Sequence, residues 1–305
     1  MSRPNALRFG ALLALVIGSA VVSAQGLLPS TPPKGFGASV TPAFEGWFDN
    51  PDGTHTFMIG YFNRNTGQEV DVPIGPNNQF SPGMPDMGQP THFLPGRRYG
   101  MFIYTVPKEF AKTQKLTWSL TVNGVTSKVP FYMSPDYNIT PMRASEEGPR
   151  GNNVPPILTF NRGETFNGPL GTVAKAIARV ATVGVPMSLD MSADDDAQYS
   201  SGANTPLTGA SPPVELVISK YRGPGAVTIA EPKAKMTAIK GGKPDQPFSG
   251  KAATTVTFDE PGDYLLHVTA NDYSGNGGGG AACCWTTAMV KVSVKSEVPR
   301  TTGAR

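Results

Sequence analysis

Leu116–Phe131 reads LTWSLTVNGVTSKVPF. Leu116, Trp118, Leu120 and Val122 alternate with Thr117, Ser119 and Thr121. Neighbouring side chains of an extended strand point to opposite faces, so this spelling predicts a strand with one apolar face. Asn123-Gly124 then supplies a pair that accepts positive φ in a tight type I′ turn. Val125, Ser127, Val129 and Phe131 return along the partner strand. The apolar face of such a hairpin must be covered, and a second sheet is the simplest cover.

The same texture extends outward in both directions. Thr54–Asn63 (THTFMIGYFN) is a β-rich run, and Arg98–Val106 (RYGMFIYTV) is apolar on both faces, as a central strand would be. Further along, Val256 and Phe258 alternate with Thr255 and Thr257, and Asp259-Glu260-Pro261-Gly262 spells a turn. Tyr264, Leu266, Val268 and Ala270 then point one way, with Leu265, His267 and Thr269 opposite. In the last strand Ala288, Val290, Val292 and Val294 are expected to face inward, and Met289, Lys291, Ser293 and Lys295 outward. Thr172–Val183 (TVAKAIARVATV) fits an alanine-rich helix or an edge strand; it lacks a good N-cap, and strand suits its surroundings.

Glycine (35) and proline (30) make up about a fifth of the 305 residues, while apolar residues hold 39%. That balance suits many turns joining short strands rather than disorder. The expected fold class is all-β, two β-sandwich (immunoglobulin-like) modules in tandem after a signal peptide.

The signal peptide is expected over residues 1–24. Arg3 and Arg8 precede an apolar run, Ala11–Val22, and Val22-Ser23-Ala24 places small residues where cleavage needs them. The run is too short for a confident membrane span, the other reading being an uncleaved anchor. Residues 25–38 read as a flexible lead, 39–144 as the first module, 145–156 (SEEGPRGNNVPP) as a linker, 157–296 as the second module and 297–305 as a tail. Localisation is expected to be exported, periplasmic or extracellular.

Cleavage removes two of the 26 Lys and Arg residues and no acid, leaving a near balance with 23 Asp and Glu. Only 16% of the chain is charged, so nothing marks a nucleic-acid or anionic-membrane partner. No apolar stretch after the signal is long enough to span a membrane.

Residues 183–296 resemble a PKD-type or related immunoglobulin-like domain. The resemblance rests on Val183–Leu189 followed by Ser192-Ala193-Asp194-Asp195-Asp196, on Phe258–Tyr264, and on Val268-Thr269-Ala270-Asn271-Asp272. It implies a spacer or binding unit. It also implies a tyrosine corner at Tyr264, with a buried ring and a hydroxyl bonded to nearby backbone. Such domains carry a tryptophan on the third strand; Val214–Tyr221 (VELVISKY) has none, and Tyr221 is the candidate to fill the space. The chain as a whole resembles uncharacterised exported bacterial proteins, which imply no activity.

Three features are candidate sites. Gly75–Gly96 is a long proline-rich segment carrying Asn77, Asn78, Phe80, Gln89, His92 and Phe93, a mixture suited to glycan or peptide contact or, equally, to covering a sheet edge. Asp190, Asp194, Asp195, Asp196 and Asp272 form an acidic set that would suit calcium, the one cofactor considered; the competing role is turn capping. Cys283-Cys284, the chain's two cysteines, would form a vicinal disulfide after export or stay as two thiols on opposite faces; metal binding lacks further ligands nearby. No G-x-S-x-G, H-E-x-x-H or phosphate-loop pattern occurs. The expected function is an exported non-catalytic protein binding a glycan, peptide or surface polymer, its expected partner a glycan or a cell-surface protein, with a structural spacer of the cell surface as the alternative and a secreted hydrolase with an unrecognised site as the less favoured one.

Overall fold

The computed structural model describes residues 32–143, 153–197, 214–241, 246–272 and 283–296. The expected signal peptide, residues 25–31 of the lead, 145–152 of the linker and the tail lie outside the described residues. The first half contains β1 (Val40–Asp49), β2 (His55–Asn63), β3 (Val70–Asp71), β4 (Asn78–Ser81), β5 (His92–Phe93), β6 (Gly96–Val106), β7 (Leu116–Val122) and β8 (Val125–Phe131). The second contains β9 (Ile157–Phe160), β10 (Thr165–Asn167), β11 (Ile177–Thr182), β12 (Met187–Asp195), β13 (Val214–Arg222), β14 (Val227–Ile229), β15 (Lys233–Ala234), β16 (Thr237–Lys240), β17 (Phe248–Phe258), β18 (Gly262–Asp272) and β19 (Trp285–Lys295). Helical structure among the described residues is limited to two 3-10 turns, Pro135–Tyr137 and Val173–Lys175. The fold is all-β.

The Leu116–Phe131 hairpin forms as spelled. β7 and β8 pair antiparallel, Val122 facing Val125, and Asn123 and Gly124 take φ of 50° and 76°. β4 joins them in a sheet of order β4-β7-β8, which faces the sheet β1-β2-β6. Their shared core includes Phe57, Ile59 and Phe102 from one sheet and Phe80, Trp118, Leu120 and Phe131 from the other. The Trp118 ring stacks on Phe80 at 5.7 Å and meets the edge of Phe102 at 5.4 Å. Its indole nitrogen, buried with the ring, donates to Asn78 Oδ1 at 2.9 Å, so the ring is held without an orphaned polar atom.

The second half is two facing sheets, β10-β9-β12-β17-β14 (with β16 also on β17) and β11-β19-β18-β13-β15. Leu189, Met191, Val256 and Phe258 meet Leu216, Ile218, Leu266, Val268, Val290 and Val292 between them. The alternation in β17, β18 and β19 accounts for these inward positions. Residues 172–183 resolve into the second 3-10 turn and an edge strand, β11, parallel to β19. Tyr264 is buried, its hydroxyl donating to Glu260 O at 3.0 Å and accepting from Gly225 N at 3.1 Å, as a tyrosine corner requires.

Several inferences from strand alternation need correction. β6 is apolar on both faces but pairs only with β2, at the end of its sheet. Its second face is covered instead by the other half of the chain: Ile103, with Phe48 and Met58 of its own sheet, packs with Trp285 of the second half. His267 and Met289, expected outside, are 3% and 1% exposed because the first half lies against them. Tyr221 does not fill a tryptophan's place in the second core; it joins Leu265 and Met289 in the first. Residues Pro33–Arg305 accordingly form one compact unit. The last residues of the expected lead also belong to it, since Lys34 and Gly35 share backbone hydrogen bonds with Arg64, Thr66 and Gly67.

Candidate functional site

Where the two halves meet, polar strand faces oppose each other across a cleft of about 270 Å3. One wall comes from β6. Opposite the single residue Gly60, β6 carries three, Tyr99, Gly100 and Met101, a bulge that re-aims the side chains around it. Gly60 leaves the space for this: a Cβ there would lie 2.2 Å from Arg98 O and 2.3 Å from Glu45 Oε1. Arg97 fills that space, its Nη2 donating to both Glu45 carboxylate oxygens at 2.6 and 2.7 Å. Burial raises the Glu45 carboxyl above its ordinary value, and the Arg97 charge opposes this. The Arg97 guanidinium also lies over the Tyr99 ring, 4.1 Å from its centre.

The other wall comes from β13 and β18. Their register sets Glu215, Val217 and Ser219 opposite Asn271, Thr269 and His267, all on the face turned toward β6. Lys233 of β15 pairs with Glu215 at 2.9 Å, and Trp285 of β19 closes one end. His267 stacks on Tyr221, ring centres 5.9 Å apart, with Nδ1 3.3 Å from the Thr269 hydroxyl. The imidazole also has a backbone hydrogen bond with Met101 of the facing wall, and Arg98 Nε is buried across the cleft. Burial pushes the imidazole down to about 4; the Met101 backbone opposes this and the Arg98 charge adds to it. The ring is therefore neutral near pH 7.

None of the residues singled out from sequence lies in this cleft except at its margin of β18. Of the six in Gly75–Gly96, Asn78, Phe80, Gln89, His92 and Phe93 are buried and only Asn77 is exposed. Asn78 Nδ2 donates to Val72 O and Pro90 O, and Gln89 Nε2 to Pro85 O, so the amides hold the segment's own turns. His92 Nδ1 lies 2.9 Å from Asp71 Oδ1 and its Nε2 3.2 Å from Glu69. The segment docks on the end of β13: Tyr221 O accepts from Thr91 N at 3.1 Å, and Arg222 holds Asp86 and Gln89 O.

The acidic set is divided. β12 runs through Asp195 as a strand, so Asp190 and Asp194 point outward, Asp190 bonding Ser188 and Asn161, while Asp195 points inward. Asp195 and Asp272 are buried near each other at the end of the second core; burial, reinforced by the Asp272 charge, pushes Asp195 up to about 8. Asn153, from the end of the expected linker, donates to Asp272 Oδ2 at 2.8 Å. Among the described residues, no three His, Cys, Asp or Glu side chains gather as metal ligands. Cys283 and Cys284 are joined as a vicinal disulfide through a cis peptide, buried beside Asn153.

Sequence reading passed over the cleft because Arg98 lies far in the chain from His267 and Asn271. The one local signal was polar alternation on β18, which a solvent-facing strand would share.

No protein-family model and no curated protein matches the sequence. Solved structures similar to it include domains 4 and 5 of the S-layer protein SbsC, at 12% identity, 84% of this chain, 98% of that one and a TM-score of 0.21. The D00-D0 domain of intimin matches at 11% identity over 84% and 97% with a TM-score of 0.19. CfaE, the adhesive subunit of the CFA/I fimbria of enterotoxigenic Escherichia coli, matches at 8% identity over 88% and 82% with a TM-score of 0.20. At these TM-scores the likeness fixes neither architecture nor activity.

Proposed function

We propose that this chain is an exported, non-catalytic protein of the cell envelope. In this reading two immunoglobulin-like sandwich modules act as one rigid body, and the cleft between them holds a segment of a surface polymer. One observation carries it: residues of both halves line a cleft of mixed apolar, aromatic and charged side chains whose walls rest on a shared core. A cleft fixed in advance loses little entropy when it binds. Export rests on Arg3, Arg8 and the run Ala11–Val22. The test is a screen of glycans, peptides and surface polymers against the purified protein, with binding mapped by amide chemical shifts. Shifts gathered at Arg97–Tyr99 and His267–Asn271 are the expected result; no ligand in any class counts against the proposal.

The interlocked junction also favours a second reading, a spacer that holds other envelope components at a set distance. Export is tested by N-terminal sequencing of the native protein, which should begin at Gln25.

A further inference from the structure

A mostly apolar cavity of about 480 Å3 opens on the first half of the chain and shares no lining residue with the cleft. Small-ligand sites occupy about 300–1,000 Å3, so the space suits one. Its floor belongs to the first core: Val106, Phe110 and Leu116 are buried, and the rings of Phe110 and Phe57 meet edge to face at 5.6 Å. Tyr104 of β6 and the loop 82–87 form its sides. That loop is fixed in place, since Phe80 N donates to Pro85 O at 3.1 Å and Arg222 holds Asp86. The cavity therefore exists before anything enters it. Met87 packs partly against the core, and Met84 stands at the mouth, 71% exposed. Methionine side chains adapt to what they touch, which suits a flexible alkyl chain.

The charge beside this cavity is one-sided. Residues 107–115 carry Lys108, Lys112 and Lys115 against one acid, Glu109. Lys108 lies 3.9 Å from Glu109, and the Lys115 ammonium sits over the Tyr132 ring. Lys112, exposed in the turn that Gln114 N closes on Ala111 O, has no ion pair among the described residues. On the facing loop the one charged residue, Asp86, is already matched by Arg222. An apolar chain that ends in an anion thus finds a buried floor for the chain and a positive loop for its head.

We propose that this cavity binds a free fatty acid, its alkyl chain over Phe110 and Leu116 and its carboxylate at the turn carrying Lys112. The site is separate from the cleft and does not depend on the cleft's role. A concave site takes one chain at a time. Docking on a bilayer needs a face of protruding apolar side chains, and Met84 is the one large apolar side chain of this lining that stands in solvent.

The test uses the full mature chain with octanoate, decanoate and dodecanoate, with dodecyl maltoside as a neutral chain, all below micelle formation, and with phosphatidylglycerol vesicles. Binding is measured by calorimetry and mapped by methionine methyl resonances. Each added methylene should tighten carboxylate binding about fourfold. The Met84 and Met87 methyls should move on adding dodecanoate. Lys112→Glu, an exposed change, should weaken dodecanoate about fivefold and leave dodecyl maltoside unaffected. Carboxylates that do not bind, or bind without regard to chain length, overturn the proposal, as does binding that leaves both methyls in place. Equal affinity for dodecanoate and dodecyl maltoside, or a Lys112→Glu variant that binds dodecanoate as wild type does, overturns the anionic head. Vesicle binding that free dodecanoate does not inhibit replaces the fatty-acid site with a bilayer-docking surface.

Discussion

Arg222, at the end of β13, grips Asp86 of the first half with two parallel hydrogen bonds of 2.9 and 2.8 Å. The same guanidinium donates to Gln89 O, and the neighbouring Tyr221 hydroxyl donates to Gly88 O. Arg222→Ala should therefore loosen the junction and destabilise the chain by about 1–2 kcal/mol. Asp86→Ala, which removes a partner 44% exposed and leaves the Gln89 contact, should cost under about 1 kcal/mol. Chemical denaturation of both variants checks the order; equal losses would show that the Gln89 contact contributes nothing.

Gly100 sits against Trp285 with φ of 49°. A Cβ there would come within 2.4 Å of Trp285 Cζ2, in a conformation that L residues adopt at a cost. Gly100→Ala should destabilise by about 2–4 kcal/mol. Adding Trp285→Leu, which vacates the ring position, should cost less than the sum of the two single changes. Strict additivity in a double-mutant cycle would refute the contact.

Tyr264→Phe removes a hydroxyl with two backbone partners and orphans the Gly225 amide, buried beside it. About 1–2 kcal/mol of stability should be lost with the strands unchanged by circular dichroism. A loss of a few tenths would show the corner to be dispensable.

Two buried groups give opposed pH dependences. Asp195 goes from an ordinary 3.8 to about 8, so the folded chain keeps a proton that the unfolded chain releases, and stability falls as pH rises between those values. His267 goes from 6.5 to about 4, so its contribution is intact above 6.5 and is lost as pH falls toward 4. The two slopes oppose each other below pH 6.5, leaving the Asp195 slope alone from there to 8. Each is at most about 1.4 kcal/mol per pH unit. Melting curves of wild type and Asp195→Asn should diverge steadily from pH 4 to 8 in the variant's favour. A constant difference would mean that Asp195 titrates normally.

Unreduced protein should take up no thiol reagent even when unfolded, and should accept label at both cysteines after reduction, because Cys283 and Cys284 are bonded to each other. Labelling without reductant, followed by intact mass, is the check that would contradict this.

The strands themselves were legible in the sequence. Leu116, Trp118, Leu120 and Val122 could face a core only by extending, and Asn123-Gly124 could close the hairpin because both residues tolerate positive φ. The corner at Tyr264 was implied by the resemblance that Phe258–Tyr264 helps to carry. These are relations between near neighbours, where backbone geometry follows from residue type. The candidate sites were less legible: Asn78, Gln89 and His92 look like ligand contacts in one dimension and turn out to hold turns and strand ends together. Alternation also placed His267 and Met289 on the side of their strands away from the second core, and that was right as far as it went. What covers that side was decided by the tertiary structure alone, because a period of two assigns a residue to a face and carries no information about the body packed on it. The first half of the chain lies there, and the approach of Arg98 to His267 exists only in that packing.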